Sequence, residues 1–157
     1  MSYQGSSGEV SAVWRPHDEV PPLARPTSSV RFVAPGSVTA GQYGLFHWEM
    51  QPHAGGPGAH FHRTFSESFY VLEGTIRFFN GEAWVEGRPG DLIYIPAGGI
   101  HAFGNESDGE AAMLILFAPG VARERYFEEL TEIGNSGRQL TADEWTELYA
   151  RHDQFMV

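Results

Sequence analysis

Three histidines and one glutamate carry most of the chemistry available to this chain. His60 and His62 flank Phe61, Glu67 follows five positions after His62, and His101 lies in a second segment marked by glycine and proline. On an extended strand, residues two apart point to the same face, so His60 and His62 can converge on one point. Imidazole nitrogens and a carboxylate suit first-row transition metals, and such a cluster on one face would otherwise bury polar groups without partners. The four residues together read as a metal site. Three neutral imidazoles and one carboxylate leave a divalent ion a net charge of about +1, with room for water, substrate or dioxygen. Iron, manganese, nickel, cobalt, copper and zinc all accept this ligand set, so one divalent first-row ion is expected without its identity being fixed. His17, His47, His53 and His152 have no such companions and are read as ordinary structural or surface histidines.

The elements that position these residues are short strands. An apolar run at 69–73 closes at Gly74, and a second at 92–95 lies between Gly90 and Pro96, followed by Gly98, His101 and Asn105. Further strands are expected at 29–34, 44–51, 75–80 and 111–118 from their apolar patterning. Asn80-Gly81, between the runs 76–79 and 82–85, signals a tight hairpin because both residue types tolerate positive φ. Alternation assigns Phe46, Trp48, Met50, Phe69, Val71, Phe78, Ile93, Ile95, Phe103, Met113, Ile115 and Phe117 to the inner wall, where Arg77 is the one cation available to grip an anion. Such a wall suits an aromatic or otherwise apolar small molecule. After Pro119-Gly120 the period changes. Val121, Tyr126, Phe127, Leu130 and Ile133 fit a helical stripe, and Thr141 with Glu144 forms a capping box before Trp145, Leu148 and Tyr149. Two C-terminal helices are expected, with their aromatics packed on the outside of the strand domain or on a partner.

The two histidine-bearing segments resemble the paired signature motifs of the cupin superfamily. His60, His62, Glu67 and His101 correspond to that family's metal ligands. Gly74, Gly90, Pro96, Gly98 and Asn105 fill its marked turn positions, while Ala54 stands where a glycine is usual. The resemblance implies an all-β fold, the double-stranded β-helix or jelly-roll-like barrel, here with a short C-terminal helical extension. It divides the chain into an extended N-terminal arm (1–28), a cupin barrel (29–118) and the helical extension (119–157). Within the superfamily the chain looks most like short bacterial cupins of the quercetin-dioxygenase-like group.

The composition sets outer limits. At 157 residues the chain is long enough for one such domain with extensions. A net charge of -10 argues against nucleic acid and against anionic membranes. The absence of cysteine leaves only nitrogen and oxygen ligands, and all ten basic residues are arginine, which excludes lysine Schiff-base chemistry. No signal-peptide pattern opens the sequence, so a cytoplasmic protein is expected. Trp14, Trp145, Tyr149 and Phe155 give the arm and tail more apolar surface than a small barrel can cover, so a homodimer is expected.

The resemblance implies a mononuclear metal-dependent dioxygenase acting on a small aromatic or enolic substrate. Glu67 serves there as ligand and catalytic base. The alternatives are a non-redox cyclase or isomerase on the same site, or a cupin that binds a small ligand without chemistry.

Overall fold

Alternating burial sets the inner faces of the strands. Along the chain these are β1 (Leu23–Ala24), β2 (Ser28–Ala34), β3 (Gly44–Met50), β4 (His60–Phe61), β5 (Ser66–Glu73), β6 (Ile76–Phe79), β7 (Trp84–Gly87), β8 (Leu92–Ile95), β9 (Ala102–Gly104), β10 (Ala111–Ala118) and β11 (Phe155–Met156). Two helices, α1 (Arg123–Ser136) and α2 (Ala142–Arg151), lie between β10 and β11. This computed structural model describes residues 2–157. β3 buries Phe46, Trp48 and Met50, β5 buries Phe69 and Val71, and β10 buries Met113, Ile115 and Phe117. Of the inner-wall residues expected from alternation, only Ile93 is less than fully buried; it packs against the edge of the core.

All pairings are antiparallel. One sheet has the order β1-β2-β3-β10-β5-β8, a second β7-β6-β9, and a third pairs β11 with β4. The pairs among the described residues form these three sheets, a mostly β arrangement of the kind the sequence leads one to expect. The segments flanking β4 and β9 are rich in glycine and proline and add no further ladder pairs. The layers meet through side chains: Phe69 lies 5.4 Å from Phe78 and 5.3 Å from Phe103, and Trp48 lies 6.1 Å from Phe103. A two-bond bridge adds to this, because His60 and His101 exchange backbone hydrogen bonds of 3.0 and 2.9 Å. The protein is thus a mostly β arrangement of sheets with two helices.

The motif turns are built as their residues require. Gly74 has φ +70°, and a Cβ there would lie 2.2 Å from the Glu110 carbonyl oxygen, so no other residue fits without rearrangement. The β6–β7 hairpin forms, but its loop spans residues 80–83. Only Gly81 takes positive φ (+94°); Asn80 contributes through its side chain, whose Oδ1 accepts from the Glu82 and Ala83 amides at 3.0 and 2.9 Å. Asn105 is buried, and its amide donates to the Gln51 and Gly109 carbonyls while its Oδ1 accepts from the Ser107 amide and hydroxyl. That motif position therefore pins the loop after β9 and has no part in ligation.

Both termini contact the strand domain. In the arm, β1 pairs with β2, and Arg15 donates to the Val33 and Phe32 carbonyls at 2.9 and 3.0 Å, docking the arm on its own chain. The helices form with the expected capping box, Glu144 N donating to Thr141 Oγ1 and Thr141 N to Glu144 Oε2. Their aromatics, however, point inward. Tyr126 and Phe127 are buried, and the Phe127 ring sits 5.2 Å from Phe46 and 5.6 Å from Trp48. α1 thus packs its aromatic side chains into the core of the strand domain. No helix is long and apolar enough to cross a membrane among the described residues.

Candidate metal centre

Each of the four chemically interesting residues comes from a different local constraint. His60 lies on β4, which is held on one side by the bridge to His101 and on the other by β11, where Met156 pairs with His60. His62 follows as β4 ends, its ring stacked 4.3 Å from Phe65. Glu67 lies near the start of β5, opposite Ile95 on one side and Phe117 on the other. His101 is held by the tight turn through Gly98 and Gly99, in which Gly98 takes φ +84°.

The structure brings all four together. One donor atom from each of His60, His62, Glu67 and His101 lies within 4.8 Å of the others, and all four side chains are buried. The second nitrogen of every ring is already engaged: Nδ1 of His60 contacts the Gly58 carbonyl at 2.8 Å, Nδ1 of His62 the Asp153 carbonyl at 2.6 Å, and Nδ1 of His101 the Gly99 carbonyl at 3.0 Å. A carbonyl only accepts, so each Nδ1 carries the proton and Nε2 is the atom free to coordinate. The Nε2 atoms of His62 and His101 lie 3.2 and 2.8 Å from Glu67 Oε2. Three aligned imidazole donors and one carboxylate in a closed space are the donor set of a mononuclear first-row metal site, and this cluster can hold such an ion. His17, His47, His53 and His152 take no part; His53 pairs with Asp108 and His152 with Glu129, both at 2.8 Å.

The electrostatics agree with burial of a coupled cluster. Desolvation, with the neighbouring His101 charge, pushes His60 down to about 4, so it is neutral and ligand-ready near pH 7. Burial alone would raise the Glu67 carboxyl, but hydrogen bonds from His101 and His62 outweigh it and hold the group well below the usual carboxylate range. Burial likewise lowers His101, and the Glu67 hydrogen bond and charge more than reverse this, raising it overall.

A cavity of about 360 Å³ opens onto the cluster, with His60 and Glu67 in its wall. Its size is that of a small-molecule site. The C-terminal segment lines much of it: Arg123, Tyr126, Phe127, Trp145, Tyr149 and Gln154 all face this space, against the expectation that the tail aromatics pack outside. Burial pushes the Tyr126 hydroxyl up to about 12, so it stays protonated. Arg77 is not in the cavity; it pairs with Glu106 and lies over the Trp84 ring. The cations that do line it, Arg25 and Arg123, went unnoticed in the sequence. One signal was available for Arg123, since it occupies the first turn of α1, where a positive charge opposes the helix dipole. Nothing local marked Asp153, whose carboxylate accepts from the Arg63 and Thr64 amides at 3.1 and 2.8 Å while its carbonyl orients His62.

Residues 46–117 match the family model of the cupin domain, Cupin_2. That stretch, a little under half of the chain, is similar to the cupin domain. No curated protein sequence matches it significantly. Among solved structures, a cupin-superfamily sugar phosphate isomerase from Silicibacter pomeroyi matches with 25% identity and TM-score 0.52, over 59% of each chain. The chain thus spans less than two thirds of that relative. A predicted oxalate decarboxylase from Thermotoga maritima matches with TM-score 0.62 and 16% identity, over 68% of this chain and 99% of the other. The polyketide cyclase RemF from Streptomyces resistomycificus matches with TM-score 0.59 and 21% identity, over 74% and 94%. The last two likenesses are of fold.

Asp153 supplies a direct check on this geometry. Asp153→Ala removes the side-chain anchors that fix the carbonyl facing His62, so zinc affinity should fall about tenfold with the fold retained. Competition titration against a chromogenic chelator, alongside far-UV circular dichroism, measures both; unchanged affinity would remove the C-terminal segment from the site.

Proposed function

We propose that the protein is a mononuclear metal-dependent enzyme acting on a small aromatic or enolic molecule, with dioxygenation of that molecule as its reaction. The observation that carries this reading is the cavity itself: an aromatic-walled space of about 360 Å³ whose wall includes His60 and Glu67 of the four-residue cluster. His60, His62, Glu67 and His101 would hold the ion. When bound, a divalent ion supplies a Lewis acid that favours the ionised form of an enol or phenol and permits chemistry with dioxygen.

The protein's own part is proton transfer and enclosure. Glu67 takes the enol or phenol proton on its carboxylate as the substrate enters, acting as ligand and base. Glu67 Oε2 lies 3.2 and 2.8 Å from Nε2 of His62 and His101, so the carboxylate sits where it would share an ion with both rings. Phe127, Trp145 and Tyr149 then cover the reacting molecule and exclude water. The dioxygenase assignment is supported by the resemblance to short quercetin-dioxygenase-like cupins in the motif residues. A non-redox isomerase or cyclase is the second reading, supported by 25% identity to a sugar phosphate isomerase. A net charge of -10 supports a small-molecule partner over nucleic acid.

Oxygen uptake by iron-, nickel- or cobalt-loaded protein, screened against flavonols, catechols and β-diketones, separates the readings; turnover by zinc-loaded protein without oxygen selects the second. In either case Glu67→Gln at saturating metal should lower kcat on the order of a hundredfold, the loss of a general base. Turnover near the wild-type rate would leave Glu67 a ligand only.

The homodimer is also proposed, though on a surface other than arm and tail. Tyr70 and Leu72 on β5, with Leu92 and Tyr94 on the edge strand β8, form an exposed apolar strip, whereas Trp145 and Tyr149 pack on the core. Unpaired edge strands with apolar faces favour association. Light scattering at micromolar concentration should give twice the chain mass, and Leu92→Glu with Tyr94→Glu should halve it; a wild-type monomer mass excludes the dimer.

A further inference from the structure

Arg123 is the anomaly of the cavity. It is 5% exposed and sits in the first turn of α1, where the helix dipole disfavours a cation. A buried guanidinium is costly unless paired, yet among the described residues no ion pair includes it. One Nη1–H donates to the His152 carbonyl at 2.7 Å. Aromatic rings surround the rest of the group, with Tyr126 at 4.0 Å and Phe117 at 5.2 Å from its central carbon. Its Nε–H is buried and has no partner.

A second orphan donor belongs to another residue of the cavity wall. Trp48 Nε1–H is buried without an acceptor, and its ring lies 5.6 Å from Phe127, which in turn lies 5.8 Å from the Arg123 guanidinium. The Arg25 guanidinium stacks 4.9 Å over the same indole, with Nε and Nη2 donating to Ser28 Oγ. Among the described residues Glu67 is the sole acidic one lining the cavity, and it belongs to the cluster of four. With a divalent ion held by three neutral imidazoles and Glu67, and with Arg25 and Arg123 charged, the interior carries about three positive charges. The chain as a whole carries a net charge of -10. A positive, donor-rich interior in an acidic protein is a site awaiting an anion, since buried donors left unpaired each cost free energy that a ligand acceptor recovers.

We infer that the substrate is an aromatic acid: a planar ring system held between the cavity aromatics, with a carboxylate received by Arg123 Nε–H and an acceptor oxygen directed to the Trp48 indole N–H. A carboxylate fits better than a phosphate dianion, because the unpaired donors are few and the surrounding walls are apolar rings. This deepens the proposed function and rests on its reading of the cavity as the substrate site, though not on the identity of the reaction. Arg123 and Trp48 become substrate-binding residues, a role neither motif of the sequence contains.

The test compares trans-cinnamate with its neutral analogue cinnamamide by calorimetric titration of the zinc-loaded and the chelator-treated protein. The wild type should bind the acid at least about tenfold more tightly than the amide, the worth of one charge-assisted hydrogen bond. Arg123→Gln should abolish that preference, and Trp48→Phe should weaken binding of both compounds while zinc content stays at the wild-type level. Should Arg123→Gln fail to fold by circular dichroism, Arg123→Lys decides in its place: it keeps the charge but moves the donor, and should lose most of the preference. Equal binding of acid and amide by the wild type, no binding of either at about 10 mM, or a preference that survives both Arg123 variants would overturn the inference. A preference that needs zinc and ignores Arg123 would also overturn it, by assigning the anion to the metal alone. If the protein holds no zinc yet discriminates through Arg123, the metal reading fails and the anion site stands.

Discussion

Three backbone carbonyls, those of Gly58, Gly99 and Asp153, hold the Nδ1 atoms of the three clustered histidines, and the rest of the structure serves to keep those carbonyls in place. An imidazole free to rotate presents either nitrogen; one whose Nδ1–H is committed presents Nε2 alone, in one direction. Gly58 and Gly99 are each two residues from the histidine they orient, so local loop geometry suffices for His60 and His101. The His62 carbonyl comes from Asp153, at the far end of the chain. The third ring can be fixed only after the C-terminal segment has returned across the domain and paired β11 with β4.

That dependence explains why the tail is inside the molecule and not an appendage to it. α1 inserts Phe127 among Phe46, Trp48 and Phe117, burying an aromatic face in the core. α2 and the turn at residues 152–154 then carry the chain back to the cluster, with Arg123 donating to the His152 carbonyl on the way. The same elements that orient His62 therefore also wall the cavity. Ligation and enclosure are coupled through one segment, and the side chains that meet a substrate come from the tail as much as from the strands.

The sequence made the cluster legible because its information is local. His60 and His62 are spaced two apart, as residues on one strand face are, and Gly74, Gly98 and Asn105 mark turns that only particular residues can make. The helices were legible for the same reason, from a 3.6-residue stripe and a capping box. What could not be read was long-range. No pattern near Asp153 tells that its carbonyl will face a ring 91 positions away, and β11 is too short to announce itself by alternation. Arg77 and Arg123 show the limit most clearly. Strand alternation left Arg77 as the cation of the wall, yet it pairs with Glu106 near the surface, while Arg123, set beside a helical stripe, reaches the cavity because of how α1 docks.

The claim on which the account stands is that the four side chains form one metal site. Elemental analysis of protein reconstituted with a divalent first-row ion and freed of excess tests it most directly. The account predicts about one ion per chain in the wild type and most of that lost in both His62→Ala and His101→Ala. Sub-stoichiometric metal in the wild type, unchanged by either substitution, would contradict it.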